Sequence, residues 1–359
     1  MLFRSATTTP FAAAVDAIVA ADSDSMLANL TERHEGLAKT VTQTTGAMTF
    51  GTVADGTAFG KSGDFFIRVD NFQRTSDNMK QAVMDLLNLN ASIAGIDIDG
   101  NGSADLDANN VHFVGHSLGA IVGATFVAVN NDATVQAGNT SLPQIKSAVL
   151  ATPGGSMPKL LENSVSFSGT LLPGLAMVDP SLVQGNSNLE KYFGVFQATV
   201  DTADPVNFVE SLATGGSSAT NTLIIEMVGG GAVSTTDDEA DSLPAAIEAL
   251  GAYPSDLVVP NNATGSTLAD GTARAESAQT PMAGTDKLIE LIGAEHVAAS
   301  AAETHPVTKF TEGTHGTFSS ADALAAFGEM VGQVASFIGS EGANVAVTNT
   351  AVLSAPAAE

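Results

Sequence analysis

Three residues far apart in this chain are of the types that together turn a hydroxyl into a nucleophile: Ser117, Asp256 and His315. Ser117 stands inside Gly115-His116-Ser117-Leu118-Gly119, after an apolar alternating run at 111–115 and before small and apolar residues at helical spacing over 118–130. A strand, a Gly-x-Ser-x-Gly turn and a helix in that order make a nucleophile elbow. The pentapeptide alone is a weak signal in a chain rich in Gly and Ser; the strand before it and the helix after it give it weight. Gly115 and Gly119 are expected because side chains there would collide with the neighbouring strand and helix. The turn would lift the Ser117 hydroxyl off the end of the sheet. It would also set the Leu118 backbone N–H at a helix N-terminus, where it can stabilise an oxyanion.

A serine hydroxyl needs a base, and the base needs an orienting acid. In this type of fold the chain order is Ser, acid, His. His34 and His112 precede the serine, and His116 lies within the elbow, its side chain expected to point away from Ser117. His296 and His305 come before the last strand. His315, in Glu-Gly-Thr-His-Gly-Thr-Phe between that strand and the final helix, sits where the base belongs. For the acid, Asp256 in Ser-Asp-Leu-Val-Val-Pro follows the third strand; Asp237 and Asp238 lie in an acidic run, and Asp201 and Asp204 are outsiders.

The elements that must position these residues are legible in outline. An amphipathic helix is expected over 8–22, an irregular Thr/Gly-rich stretch over 35–63, and a helix over 76–88 capped by Ser76 or Asp77, with Met79, Val83, Leu86 and Leu87 on one face. Apolar strands are expected at 111–115, 146–155 and 222–228, and a further strand at 307–313. The region 156–215 has apolar patches without strand period. A last helix over 320–338 places Leu324, Phe327, Val331, Val334 and Ile338 on one face and stops at Gly339. Wholly apolar strands separated by helices predict an α/β fold: a mostly parallel sheet covered by helices on both faces. The expected organisation is an N-terminal segment 1–60, a catalytic domain 61–340 with a cap-like insertion about 156–215, and a tail 341–359.

The runs Gly-His-Ser-Leu-Gly-Ala-Ile-Val-Gly, Ala-Val-Leu-Ala-Thr-Pro-Gly-Gly, Ala-Asp-Pro-Val-Asn-Phe, Leu-Val-Val-Pro-Asn and Glu-Gly-Thr-His-Gly, in this order over roughly residues 60–350, together resemble the bacterial extracellular lipases of the Pla-1/cef type, within the α/β-hydrolase superfamily. The resemblance implies hydrolysis of fatty-acyl esters, with phospholipase A-type activity as an alternative. It carries Ser117 over as nucleophile, Asp256 as acid, His315 as base and the Leu118 amide as an oxyanion donor. It also implies a secreted or cell-surface location for the full-length protein. The opposing reading is a catalytically impaired or non-enzymatic fragment that keeps the elbow as scaffold. Residues 1–110 show no apolar strand followed by a His-Gly-type loop, the usual source of a second oxyanion donor. The chain is therefore expected to lack its first strands, and no signal peptide is visible, since Asp16 breaks the apolar stretch.

Asp97, Asp99, Asn101 and Asp105 occupy positions 1, 3, 5 and 9 of a calcium-loop pattern, with Gly102 at the turn. The usual carboxylate at position 12 is replaced by Ala108. A structural calcium is one expectation and an Asx-rich turn the other; the chemistry itself needs no cofactor. With 39 acidic against 13 basic residues, a net charge of −26 argues against nucleic acid and against docking on anionic membranes. No apolar run is long enough for a transmembrane helix. The absence of cysteine excludes disulfides and thiol chemistry.

Overall fold

The computed structural model describes residues 66–215, 219–233, 251–262, 280 and 282–356, and the backbone of 42–44 and 47–49. The expected helix over 8–22 lies outside these residues. The chain divides into two compact units, Met1–Ala82 and Val83–Glu359, and the boundary falls inside helix α1, Phe72–Ser92.

In the first unit, β1 (Thr42–Thr44) and β2 (Ala47–Thr49) pair antiparallel with Thr42 opposite Thr49. Within the expected irregular stretch 35–63, this corrects the reading at 42–44 and 47–49; the rest of the stretch lies outside the described residues. Threonine is β-branched and at home in a ladder, and a pairing of three residues leaves too short a period to see. Helix α1 begins four residues before the expected start. The Asn71 side chain, not Ser76 or Asp77, caps it by accepting from the N–H of Arg74 at 3.0 Å. Ser76 is buried inside the helix, while Thr75 Oγ1 closes the preceding turn by accepting from the Arg68 N–H (2.7 Å) and donating to its carbonyl (3.0 Å).

The second unit is built on a sheet in which β3 (Val111–His116), β4 (Ile145–Ala151), β5 (Asn221–Met227), β6 (Glu295–His296) and β7 (Pro306–Phe310) lie in the order β3-β4-β5-β7-β6, every pair parallel. Helices α2 (Leu118–Asn131) and α3 (Ala133–Gly138) join β3 to β4. The region after β4 is helical: α4 (Met157–Asn163), α5 (Val165–Val178), α6 (Ser187–Val200) and α7 (Glu210–Thr214). Helix α8 (Thr285–Ile292) precedes β6; α9 (Thr317–Ser320) and α10 (Leu324–Gly339) follow β7. A parallel sheet clad by helices on both sides is an α/β-hydrolase-like fold.

The central strands are apolar without alternation because both faces are covered. Val149, Ala151, Leu223, Ile225, Met227 and Phe310 pack with Ala326, Met330 and Phe337 of α10. The intervening Ala148, Leu150 and Ile224 are equally buried and by the two-residue period face the opposite side, where α2 packs on β3 and β4.

Helix α10 buries a different face from the one its apolar spacing indicates. Ala326, Glu329, Met330, Gln333 and Phe337 are inside, while Leu324 and Val331 are each 47% exposed. The polar pair is satisfied there. Gln333 accepts from Thr308 Oγ1 (2.8 Å) and donates to Glu329 Oε1 (2.9 Å). Glu329 also accepts from the backbone N–H groups of Thr348 and Asn349, so the segment after α10 is stitched to the helix, with Val345 and Val352 buried.

Candidate active site

Strand β3 ends at His116, and Ser117 turns the chain into α2 with φ 54° and ψ −125°. A non-glycine residue in that region is strained and persists only where its surroundings fix it. The Ser117 N–H donates to the Ala151 carbonyl at 2.9 Å, and the Ser117 carbonyl accepts from the N–H groups of Ala120 (2.8 Å) and Ile121 (3.0 Å). The strain is thus held by the next strand on one side and the helix on the other. A Cβ on Gly115 would sit 2.7 Å from the Gly119 carbonyl oxygen and 2.9 Å from the Ala120 Cα, so this glycine is required. Gly119 is not: a Cβ there meets nothing within 4 Å among the described residues, which corrects the expected collision. β3 is the edge strand of the described sheet, so no neighbouring strand crowds that side. The second close approach belongs instead to Gly123, where a Cβ would enter the Phe113 ring. Leu118 N–H, at the first position of α2, points out of the helix end with the macrodipole behind it.

Asp256 and His315 converge on this turn. His315 Nε2 lies 2.7 Å from Ser117 Oγ, and His315 Nδ1 lies 2.7 Å from Asp256 Oδ2. A carboxylate only accepts, so Nδ1 carries the ring proton and Nε2 is left to accept from the serine hydroxyl. Asp256 is buried, and its Oδ1 accepts from the N–H groups of Val258 (2.8 Å) and Val259 (2.9 Å). The Asp256 N–H and the Asn261 side chain both donate to the Met227 carbonyl, at 3.0 and 2.7 Å, which moors the Asp256 loop to the end of β5. Around His315, the buried Asp322 accepts from Thr314 Oγ1 (2.7 Å) and from Thr317 Oγ1, while the Thr314 N–H donates to Thr317 Oγ1 (2.7 Å). His315 is therefore carried on a loop braced on both sides.

One nearby residue, Thr152, escaped the sequence reading, and another, His116, was expected to face the other way. The His116 ring does not turn away from the site. Its Nε2 lies 2.7 Å from the His315 carbonyl oxygen, and its ring centroid is 5.2 Å from that of His315. Thr152 follows β4 in register beside Ser117, since His116 pairs with Ala151. Its φ is 47°, its N–H donates to the Ile225 carbonyl at 2.8 Å, and its Oγ1 is buried without a hydrogen-bond partner. Of the alternatives for the acid, Asp201 and Asp204 lie within the described residues. Asp204 is buried and accepts from the N–H groups of Ser156, Met157 and Val206 and from Gln197 Nε2, so it clamps the loop after β4; burial pushes its carboxyl up in spite of these bonds. Asp201 accepts from Gln197 Nε2 and lies outside the Ser117–His315 chain. Asp237 and Asp238 lie outside the described residues.

No family model matches the chain, and no curated protein or solved structure matches it. The geometry therefore stands alone. A second His–Ser contact, His112 Nδ1 to Ser147 Oγ at 2.7 Å, joins the early part of β3 to that of β4. The other ring nitrogen of His112 contacts Asn110 Oδ1 rather than a carboxylate, and Ser147 is fully buried within a strand, so this pair lacks both an orienting acid and an elbow.

The acidic loop 97–105 brings the carboxylates of Asp97, Asp99 and Asp105 within 4.8 Å of one another. Asp97 accepts from the N–H groups of Gly100, Asn101 and Gly102, and the Gly102 bond is the chief cause of its lowered pKa. Asp105 Oδ2 accepts from the N–H groups of Ile98 and Asp99. Asn101 contributes differently: its Nδ2 donates to Asp99 Oδ2 at 2.9 Å and its Oδ1 accepts from the Ser103 N–H at 2.9 Å. Hard oxygen donors gathered on a tight loop fit a calcium-type cation. Among the described residues, no helix is long and apolar enough to cross a membrane.

Proposed function

We propose that this chain is a serine ester hydrolase that cleaves fatty-acyl esters through an acyl-enzyme on Ser117. The observation that carries this reading is the unbroken chain Ser117–His315–Asp256, two 2.7 Å contacts ending at a strained serine on a helix N-terminus. His315 Nε2 accepts the hydroxyl proton as Ser117 Oγ attacks the ester carbonyl. The tetrahedral oxyanion is met by the Leu118 N–H. His315 then protonates the leaving alcohol, and the acyl group remains on Ser117. Water, deprotonated by the same ring, attacks the acyl-enzyme and releases the fatty acid. Asp256 holds the imidazole in the competent tautomer and stabilises the imidazolium formed at each step.

The acyl preference is supported by the helices after β4. Helix α5 has no charged residue, buries only Leu175 among its residues, and leaves Phe167, Met177 and Val178 exposed. Its Ser166 N–H donates to the carbonyl of Leu257, the neighbour of Asp256, at 2.8 Å. An apolar helix moored to the acid loop offers hydrocarbon surface next to the chemistry. The order of motifs along the chain supports kinship with the Pla-1/cef-type extracellular lipases, with a secreted or cell-surface location, and makes phospholipid esters the second substrate class. Hydrolysis of p-nitrophenyl esters of increasing acyl length tests the reading: turnover with a preference for longer chains supports it, and no turnover at any length refutes it.

The competing reading, a scaffold without turnover, draws on one observation. Among the described residues β3 has a single neighbouring strand, and Val114 on it is 41% exposed. Covalent labelling of Ser117 separates the two. A calcium ion held by Asp97, Asp99, Asn101 and Asp105 belongs to the same proposal as a structural element away from the chemistry.

A further inference from the structure

The elbow makes two hydrogen bonds with the base residue, and only one of them belongs to the serine. Ser117 Oγ meets the His315 ring, while the preceding residue, His116, meets the His315 main chain: its Nε2 is 2.7 Å from the His315 carbonyl oxygen. A carbonyl only accepts, so His116 Nε2 carries a proton and donates. The His116 ring lies between two others, 5.2 Å from His315 and 5.7 Å from Phe318, which opens α9. One short turn thereby grips both ends of the base residue.

We propose that His116 is a positioning residue for His315, fixing the base's main chain through its Nε2–H so that the ring reaches Ser117 and Asp256 together; this rests on the reading of Ser117 and His315 as nucleophile and base. The elements around it support the assignment. The contacts of Thr314, Thr317 and Asp322 brace the residues on either side of His315, while His315 itself meets Ser117 and Asp256 through its ring; the bond from His116 acts on the carbonyl of the base residue itself, and both ring contacts need that backbone fixed to be met at once. The bond is formed across residues 199 apart in the chain, so it closes the base loop onto β3 directly. Burial, then the positive charge that His315 carries in its protonated form, lowers the His116 pKa from the ordinary imidazole value, opposed by its hydrogen bond to the His315 carbonyl and, less, by Asp256. A neutral His116 places no second cation beside the imidazolium that forms at His315 during the reaction.

The test compares His116→Leu, which keeps bulk and removes the donor, with His116→Gln, whose amide N–H reaches the same place. In the full chain labelled with ¹⁵N-histidine, the wild-type His116 shows the neutral Nε2–H tautomer. The low-field Nδ1 proton of the His315–Asp256 bond is present in the wild type, lost in His116→Leu and kept in His116→Gln. In ester hydrolysis, His116→Leu loses about 10- to 100-fold in kcat with little change in KM, and His116→Gln recovers most of it. An Nδ1–H tautomer at His116, or an undiminished low-field proton in His116→Leu, overturns the proposal. A wild-type chain that shows these resonances but turns over no ester refutes the hydrolase reading and leaves the positioning contact established.

Discussion

Asp256 Oδ2 lies 2.7 Å from His315 Nδ1 across 59 residues of sequence, and the other carboxylate oxygen is already occupied by the N–H groups of Val258 and Val259. Those two backbone donors decide what an amide would do here. In Asp256→Asn the carbonyl stays on the N–H groups and the NH₂ faces His315, so Nδ1 must accept and the ring proton moves to Nε2. Nε2 then cannot take the Ser117 proton. Ester turnover is expected to fall by roughly 10⁴-fold, with the thermal midpoint near the wild type. Activity within tenfold of the wild type contradicts this assignment of the acid.

The two glycines of the elbow and Gly123 of α2 should respond differently to alanine. Gly115→Ala drives a Cβ against the backbone of Gly119 and Ala120, and Gly123→Ala drives one into the Phe113 ring. Each is expected to cost about 1–3 kcal/mol. Gly119→Ala meets open space among the described residues and gains helix propensity, so its effect stays within about 0.5 kcal/mol or is stabilising. Denaturant midpoints of the three variants check the order; equal losses at 115 and 119 contradict it.

Within the sheet, Glu226 on β5 pairs with Lys309 on β7 at 2.8 Å, and Lys309 also reaches Asp286 at 3.4 Å. Glu226 is buried, and its Oε1 has no hydrogen-bond partner. Burial first, then the charge of Asp286, pushes its carboxyl up to about 7 against the pull of Lys309, with Asp256 adding a smaller push in the same direction. A raised pKa means that the folded state holds the proton more tightly than the unfolded chain. The stability this group contributes is whole below pH 4.5 and is lost as pH rises through about 7. Glu226→Gln stays neutral throughout. Its stability relative to wild type is therefore expected to grow between acid and pH 8, by at most about 3 kcal/mol. Urea midpoints at the two ends measure it; a difference that does not change with pH contradicts the account.

What the sequence disclosed follows from which signals are local. The elbow was legible because strand, glycine turn and helix are adjacent, and the place of His315 beside Ser117 because chain order and a glycine-flanked loop single it out. The α/β sheet was legible because strands covered on both faces are apolar throughout. The buried face of α10 was not legible, since Glu329 and Gln333 go inside only to serve Thr308 and the 348–349 backbone, partners that no periodicity reveals. His116 was misjudged for a related reason. Its role depends on a carbonyl 199 residues away, and a residue inside a motif carries no mark of what the other side of the fold brings to it. The requirement at Gly123 likewise arises from a ring on the neighbouring strand.

For the acidic loop, millimolar calcium is expected to raise the thermal midpoint, and Asp99→Asn, at a carboxylate that accepts from the Asn101 N–H and Nδ2, should lose that shift while leaving the calcium-free midpoint near the wild type. A titration without heat or shift at millimolar calcium ends the calcium proposal.

The central claim is that Ser117 is a nucleophile activated by His315. A fluorophosphonate probe, followed by mass spectrometry of the digested chain, tests it most directly. The account predicts one stoichiometric adduct on the peptide containing Ser117, none in Ser117→Ala, and strongly slowed labelling in His315→Ala. An unlabelled Ser117 in the folded wild-type chain, or labelling and ester turnover undiminished in Ser117→Ala, would contradict it.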